Sequence, residues 1–285
     1  MTSGVPVDPP SPIGPAGTPA PAGTPARAGT PAPAGPAGPA GPAGPAGTPA
    51  PAEPMGSADP AGVPAPADPA GLTVAVLGGT GPQGRGLARR LAMSGQRILI
   101  GSRVSERAEA AAAPLRGAGL DVSGMDNARA ADTADLVIVA VPYEGHRDLL
   151  VALAGALTGK VVVDCVNPIG FDKQGAFPLP VAAGSAAQEA ASVLPTSRVV
   201  AAFHHVSAVL LEDPGLDRVD IDILVLGDDR EATDLVQALA GRIAGMRGIY
   251  AGRLRNAAQV EALTANLISI NRRHKAHAGL RVTGV

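Results

Sequence analysis

The segment LTVAVLGGTGPQGRGLARRLA, residues 72–92, constrains the fold more than any other part of the chain. A β-branched apolar run enters a glycine-rich loop and leaves as a helical pattern. Gly79, Gly81 and Gly84 match G-x-G-x-x-G, and each spacing has a physical reason. The first glycine permits a tight turn, the second lets backbone approach a pyrophosphate, and the third lets helix and strand pack closely. The helix that follows aims its free N–H groups and its positive dipole end at an anion. Thr80, Pro82 and Gln83 fill the variable positions and are expected to lie against the ligand. Pro82 has no N–H, so Gly81 and Gln83 are expected to supply nearby donors. A purely structural glycine turn is the competing reading. The strand before and the helix after favour dinucleotide binding.

About twenty residues on, RILIGSR gives a second strand that ends in Ser102 and Arg103. An NAD site usually carries an acid there, which accepts from the ribose hydroxyls and repels a 2′-phosphate. Here a hydroxyl and a planar guanidinium stand in its place, with Arg107 one helical turn later. A solvated basic turn is the plain alternative. The position after the second strand favours a 2′-phosphate, and hence NADP(H).

The rest of the chain divides by composition. Of its 29 prolines, 21 lie in the first 70 residues, among Ala, Gly and Thr. Such a segment buries too little apolar surface to offset its ordering entropy, so 1–71 is expected to be a disordered tail. The four GPA triplets of 35–46 are too few for a collagen helix. The tail also lacks the basic start and apolar run of a secretory signal. From residue 72 onward, Lys plus Arg number 22 against 21 Asp plus Glu. That balance argues against a nucleic-acid partner, and no apolar run reaches membrane-spanning length. The single cysteine, Cys165, excludes an internal disulfide framework and fits a reducing cytoplasm.

Strand-like runs at Thr73–Leu77, Arg97–Ile100, Leu136–Val141, Val161–Cys165, Val199–Phe203 and Ile221–Leu226, with a weaker one at Gly248–Ala251, alternate with helical stretches. They are near-continuous apolar runs, as in parallel strands covered on both faces. The helical stretches lie near 83–94, from Ser105, at 144–157 and 184–194, after an Asp228/Glu231 capping pair, and from Asn256 to His277. The expected fold is α/β, a doubly wound Rossmann parallel sheet (72–205) with a smaller C-terminal α/β part (206–285).

The motifs VLGGTGPQGRGLA, GSR, VAVPYEGH, VVVDCVNPIG, AAFHHVSA, VLGDD and NAAQVEALTANLISINRR, in this order, resemble the NADPH-dependent coenzyme F-420 reductases. The resemblance covers about 72–285. It implies hydride transfer between NADP(H) and the deazaflavin coenzyme F-420, a cleft completed by the C-terminal part, and a homodimer. It places NADP phosphate contacts on Thr80 to Gln83, Ser102, Arg103 and Arg107. It places cleft contacts on Tyr143, Arg147 and Ile169. His204 is the histidine it sets at the deazaflavin, where it would orient the ring and hydrogen-bond a ring carbonyl. Val206, Ser207 and Ala208 continue that wall. Arg253, Arg255, Arg272, Arg273 and Lys275 are basic residues for the coenzyme's anionic tail, against a reading as solvated helix surface.

No metal cluster or nucleophilic triad is apparent. His204 and His205, adjacent on an expected strand, would face opposite ways and chelate poorly. Hydride exchange between two coenzymes asks the protein for placement rather than acid–base groups. Two other readings stand. An imine or hydroxy-acid reductase would need a proton donor, commonly Lys, and none of Lys160, Lys173 and Lys275 sits in a suggestive motif. A non-catalytic NADPH-sensing protein would bind the coenzyme without turnover.

Overall fold

The computed structural model describes residues 68–285. The expected disordered tail therefore lies almost wholly outside the described residues. The chain begins with β1 (Thr73–Leu77), α1 (Pro82–Met93), β2 (Arg97–Ser102), α2 (Ser105–Gly117), β3 (Val122–Asp126), α3 (Asn127–Thr133) and β4 (Leu136–Val139). There follow α4 (His146–Leu157), β5 (Val161–Asp164), a hairpin of β6 (Ile169–Asp172) and β7 (Gly175–Pro178), α5 (Ala186–Val193) and β8 (Arg198–Ala201). The last third holds α6 (Ala208–Glu212), β9 (Asp222–Gly227), α7 (Arg230–Gly241), β10 (Arg247–Gly252) and α8 (Ala257–His274).

Eight strands form one sheet in the order β10-β9-β8-β5-β4-β1-β2-β3. All neighbours are parallel except β8 and β9, which pair antiparallel through Val200–Gly227 and Ala201–Leu226. The sheet is thus a Rossmann sheet with one reversal. The C-terminal strands extend this same sheet rather than building another. Chain order reverses between β1 and β4, and in an open α/β sheet ligands bind beyond the strand ends at such a switch point.

Side chains alternate across each strand, so both faces carry core. Val74, Val76, Ile98 and Ile100 pack under α1 with Leu87 and Leu91. Ala75, Leu77, Leu99, Val137 and Val139 pack on the other face with Leu150. Burial on both sides explains why these strands read as continuous apolar runs.

Several elements depart from the sequence reading. Strand β3, VSGMD, has almost no apolar signal and is held by close packing instead. A Cβ at Gly124 would lie 2.2 Å from the Glu109 backbone nitrogen and 2.3 Å from the Ala108 backbone, so only glycine lets α2 lie this close. The β6–β7 hairpin, α3 and α6 were likewise not anticipated. The cap of α7 is Asp229, whose carboxylate accepts from Ala232 N–H at 2.8 Å, not Asp228. His204 and His205 follow the end of β8 in a turn, so they do not alternate along a strand.

Candidate active site

At the switch point the glycine loop borders a cavity of about 650 Å³. The left-handed turn that opens the loop falls on Gly78 (φ +73°), one residue before the first motif glycine. Gly79 is required for a different reason: a Cβ there would lie 2.7 Å from Val76 O. At Gly84 a Cβ would lie 2.7 Å from Gly79 Cα, so this glycine sets how closely α1 approaches the loop. Gly81 differs from both. The nearest atom to a Cβ there is 3.5 Å away, and the open space beside it belongs to the cavity.

The donors also differ in part from expectation. Gly81 N–H is turned inward and donates to Gly78 O at 3.0 Å. Arg85 N–H is the first to find an acceptor within α1, Gly81 O at 2.9 Å. Because Pro82 has no N–H, the first-turn amides of Gln83 and Gly84 are the donors without an intrahelical acceptor. These features suit a pyrophosphate: a bare backbone at Gly81, two unclaimed amides and a helix N-terminus.

Across the cavity stand Ser102, Arg103 and Arg107 from the end of β2 and the start of α2. Ser102 Oγ accepts from Val104 N–H at 3.3 Å, so its own hydrogen remains to donate. The carboxylate level with it in the sheet, Asp126, caps α3 by accepting from Arg129 N–H at 2.9 Å. That end of the cavity is therefore cationic. Val104, Asn127, Glu144 and Leu149 also line the cavity and were not singled out from sequence. Asn127 was missed because it opens a helix after the unanticipated β3.

The other candidate residues lie elsewhere. Arg147 is exposed on α4, and Tyr143 packs half-buried against the core. Ile169 begins β6, half-buried, and Ser207 and Ala208 open α6. Val206 is buried in the core. His204 is only 3 % exposed, and neither ring nitrogen has a partner among the described residues. Burial pulls its imidazole down to about 4, so the ring is neutral near pH 7. Its carbonyl is clamped by Asn167 Nδ2 at 2.8 Å and Thr264 Oγ1 at 3.1 Å. Gln83 Nε2 donates to the preceding carbonyl, Phe203 O, at 3.1 Å. Phe203 itself is fully buried at φ +61°, a strained conformation for a bulky residue. His205 has a structural role: its Nε2 accepts from Leu224 N–H at 3.2 Å, tying the turn to β9.

Behind this turn lies a buried polar cluster with no signal in the sequence. His146 Nε2 lies 2.5 Å from Asp164 Oδ2, and Nδ1 lies 3.4 Å from Glu189 Oε2. Asp164 Oδ1 accepts from Val166 N–H at 3.0 Å. Glu261 of α8 accepts from Ala186 and Ala187 N–H at the start of α5, at 2.9 and 3.1 Å. Burial opposes charge on His146, but the bonds and charges of Asp164 and then Glu189 outweigh it and raise its pKa. Burial pushes the Glu261 carboxyl up to about 7, against the lowering effect of its two amide donors. Four residues from four elements converge here, a juxtaposition that only the tertiary fold creates. Cys165 is buried beside them and its Sγ donates to Val139 O, so burial keeps it a thiol.

The basic residues of the C-terminal third do not converge. Arg253 lies 3.7 Å from Asp228 beside one cavity, while Arg272 and Arg273 line another with Phe171 of the hairpin. Among the described residues no helix is long and apolar enough to cross a membrane.

The chain is similar to several known proteins. The family model for coenzyme F-420-dependent NADP oxidoreductases matches residues 73–168. The F-420-dependent NADP reductase of Methanothermobacter marburgensis is 40 % identical over 224 residues, 75 % of this chain and 99 % of that protein. The chain belongs to the F-420-dependent NADP reductase family. Another member of this reductase family, from Methanocaldococcus jannaschii, is 41 % identical over 225 residues, again 75 % of this chain and 99 % of the relative. A solved Arthrobacter structure, provisionally assigned as an F-420-dependent NADP reductase, superposes with a TM-score of 0.65 at 28 % identity, over 75 % of this chain and all of that one. The reductase fold is also shared with an imine reductase from Bacillus cereus, at a TM-score of 0.50 and 17 % identity.

Proposed function

We propose that this chain catalyses reversible hydride transfer between NADP(H) and coenzyme F-420. The observation that carries the reading is the cationic wall of Ser102, Arg103 and Arg107 facing the glycine loop, in a chain of this family. The two coenzymes supply the hydride donor and acceptor carbons. The chain supplies placement: open amides and a bare Gly81 for the pyrophosphate, and a hydroxyl and two guanidiniums for the 2′-phosphate. On this reading Tyr143, Arg147, Ile169 and residues 204–208 border the deazaflavin, and the part after residue 205 completes its cleft. His204 then works as a neutral group under that cleft, held by its clamped carbonyl. The homodimer and cytoplasmic location implied by the family resemblance form part of the same proposal.

The lysines favour this reading over a reductase that protonates its substrate through Lys. Lys160 Nζ is spent on three backbone carbonyls, Ala131, Asp132 and Ala134, at 2.7, 2.7 and 2.8 Å. Lys173 sits in the hairpin turn, and Lys275 ends α8 in a left-handed conformation.

Mixing the protein with NADPH and F-420 tests the proposal through the deazaflavin absorbance. Loss of absorbance is expected, with NADPH strongly preferred over NADH. Arg103→Ala should cut that preference by roughly tenfold, the worth of one charge-assisted phosphate contact. NADPH binding with no loss of absorbance would instead mark a sensor, and equal use of both nucleotides would defeat the NADP assignment.

A further inference from the structure

A second cavity, of about 570 Å³, lies between α1 and α2. Arg85 and Arg89 reach it from α1, where their i, i+4 spacing puts them on one face. Arg107 and Thr80 line it too, and both also line the cavity at the glycine loop. The two spaces thus meet around Thr80 and Arg107. That junction holds three guanidiniums and one carboxylate, Glu212 at the end of α6.

The three arginines are not equivalent. Arg85 is occupied: its Nε donates to Glu212 Oε1 at 2.7 Å and its Nη1 to Thr80 O at 3.0 Å. Arg89 is half-buried, and its enclosed Nε has no acceptor among the described residues. Neither Arg89 nor Arg107 has a carboxylate within salt-bridge distance among the described residues, although α2 carries acids nearby. A buried guanidinium N–H with no acceptor is costly unless an anion or water completes it. Uncompensated positive charge therefore lies on both sides of Thr80 and Arg107, at Arg103 on one and at Arg89 on the other.

We infer that Arg89 is a further specificity residue for the 2′-phosphate of NADP, adding positive potential at the junction from the side opposite Arg103. This rests on the NADP reading of the glycine-loop cavity. Glu212 acts against it: by holding Arg85, it withdraws one of the three guanidiniums from the anion. The trough has two walls of opposite origin, one at the end of β2 and one on the outer face of α1. Only the first belongs to the strand-end position at which NAD and NADP proteins usually differ.

Binding of NADPH and of NADH, followed by nucleotide fluorescence in the full chain, tests this without turnover. Arg89→Met keeps the apolar stem of the side chain and removes the charge. It should weaken NADPH by about fivefold and leave NADH within about twofold, in keeping with a partly exposed charge interaction. Arg89→Lys should recover most of the loss. Glu212→Gln should tighten NADPH by about twofold through release of Arg85. Equal weakening of both nucleotides by Arg89→Met, or of neither, would overturn the inference. Because the Arg103→Ala variant is measured alongside, a chain that loses its NADPH preference there but not at Arg89 retains the NADP reading and loses only this one. Unmodified protein that binds both nucleotides equally would end both.

Discussion

The two strand ends that frame the crevice use polar groups in opposite ways. At β1 and β2 the polar groups face outward. The first-turn amides of α1, the Ser102 hydroxyl and the guanidiniums of Arg103 and Arg107 lie on or beside an open cavity, without partners sufficient to satisfy them. At β5 and β8 the polar groups face inward. His146, Asp164, Glu189 and Glu261 satisfy one another and nearby amides, and three of the four are almost fully buried. The first region is left for a ligand to complete. The second is matched within itself, and the His204 turn beside it is held by Asn167, Thr264 and Gln83. A binding surface is recognised by what it lacks, and a scaffold by what it has already matched.

The sharpest way to break the comparison is to unmatch the scaffold. Asp164→Ala removes the buried partner of His146 and should cost about 3–5 kcal/mol of stability in urea unfolding, as expected when one member of a buried ion pair is deleted. A loss below about 1 kcal/mol would show that the cluster does not hold this end of the sheet together. Smaller, and on the open side, is the contrast between two glycines of one motif. Gly84→Ala drives a methyl to within 2.7 Å of Gly79 Cα and should lower stability by about 1–3 kcal/mol, weakening NADPH as a by-product. Gly81→Ala meets nothing closer than 3.5 Å and should leave stability within about 0.5 kcal/mol, yet weaken NADPH by roughly tenfold because its methyl intrudes on the cavity. If both variants unfold alike, the open character of Gly81 is wrong.

The smallest expected effect is a slope. The Glu261 carboxyl is raised to about 7 in the folded chain, whereas the unfolded chain titrates near an ordinary glutamate. Between these values the native state binds more protons than the unfolded one, so this group makes stability fall as pH rises through that window, and contributes no slope outside it. His204 and His205, held down at about 4, act in the opposite sense and make stability rise between about 4 and the ordinary histidine value. His146, raised, adds stability that is present below its unfolded value and lost as pH climbs through the folded one. Thermal melts of Glu261→Gln against the parent chain, from pH 4.5 to 8, isolate the first contribution. The gap in melting temperature between the two should change across pH 4.5–7 and then hold steady. A gap constant throughout would mean that Glu261 does not titrate there.

The same contrast decides what could be read from the sequence. The open region is built from near neighbours: a glycine spacing, a strand end, and an arginine one turn along. Each is a local pattern with a local reason, so Gly79, Gly81, Gly84, Ser102, Arg103 and Arg107 are legible in the sequence alone. Even there, the left-handed residue of the turn is Gly78, one before the glycine to which the motif assigns the tight turn, because the motif counts glycines and not dihedral angles. The closed region joins residues 146, 164, 189 and 261, which share no spacing. His146 was visible only as the last letter of VPYEGH. Strand β3 was hidden for a related reason: its place in the sheet depends on how closely Gly124 lets α2 approach, and not on hydrophobicity. The histidine turn was misread as strand because AAFHH continues an apolar run, while the backbone leaves the sheet at Ala201 and inverts at Phe203.

The hydrogen bond from Gln83 to Phe203 O crosses between these two regions. It starts on the first turn of the helix that faces the pyrophosphate and ends on the carbonyl just before His204. A strut of this kind ties the start of α1 to the backbone of the histidine turn. On the proposed reading the two coenzymes would lie at the two ends of this bond, and any coupling it carried between them would have to be reciprocal, each shifting the other's affinity by the same factor.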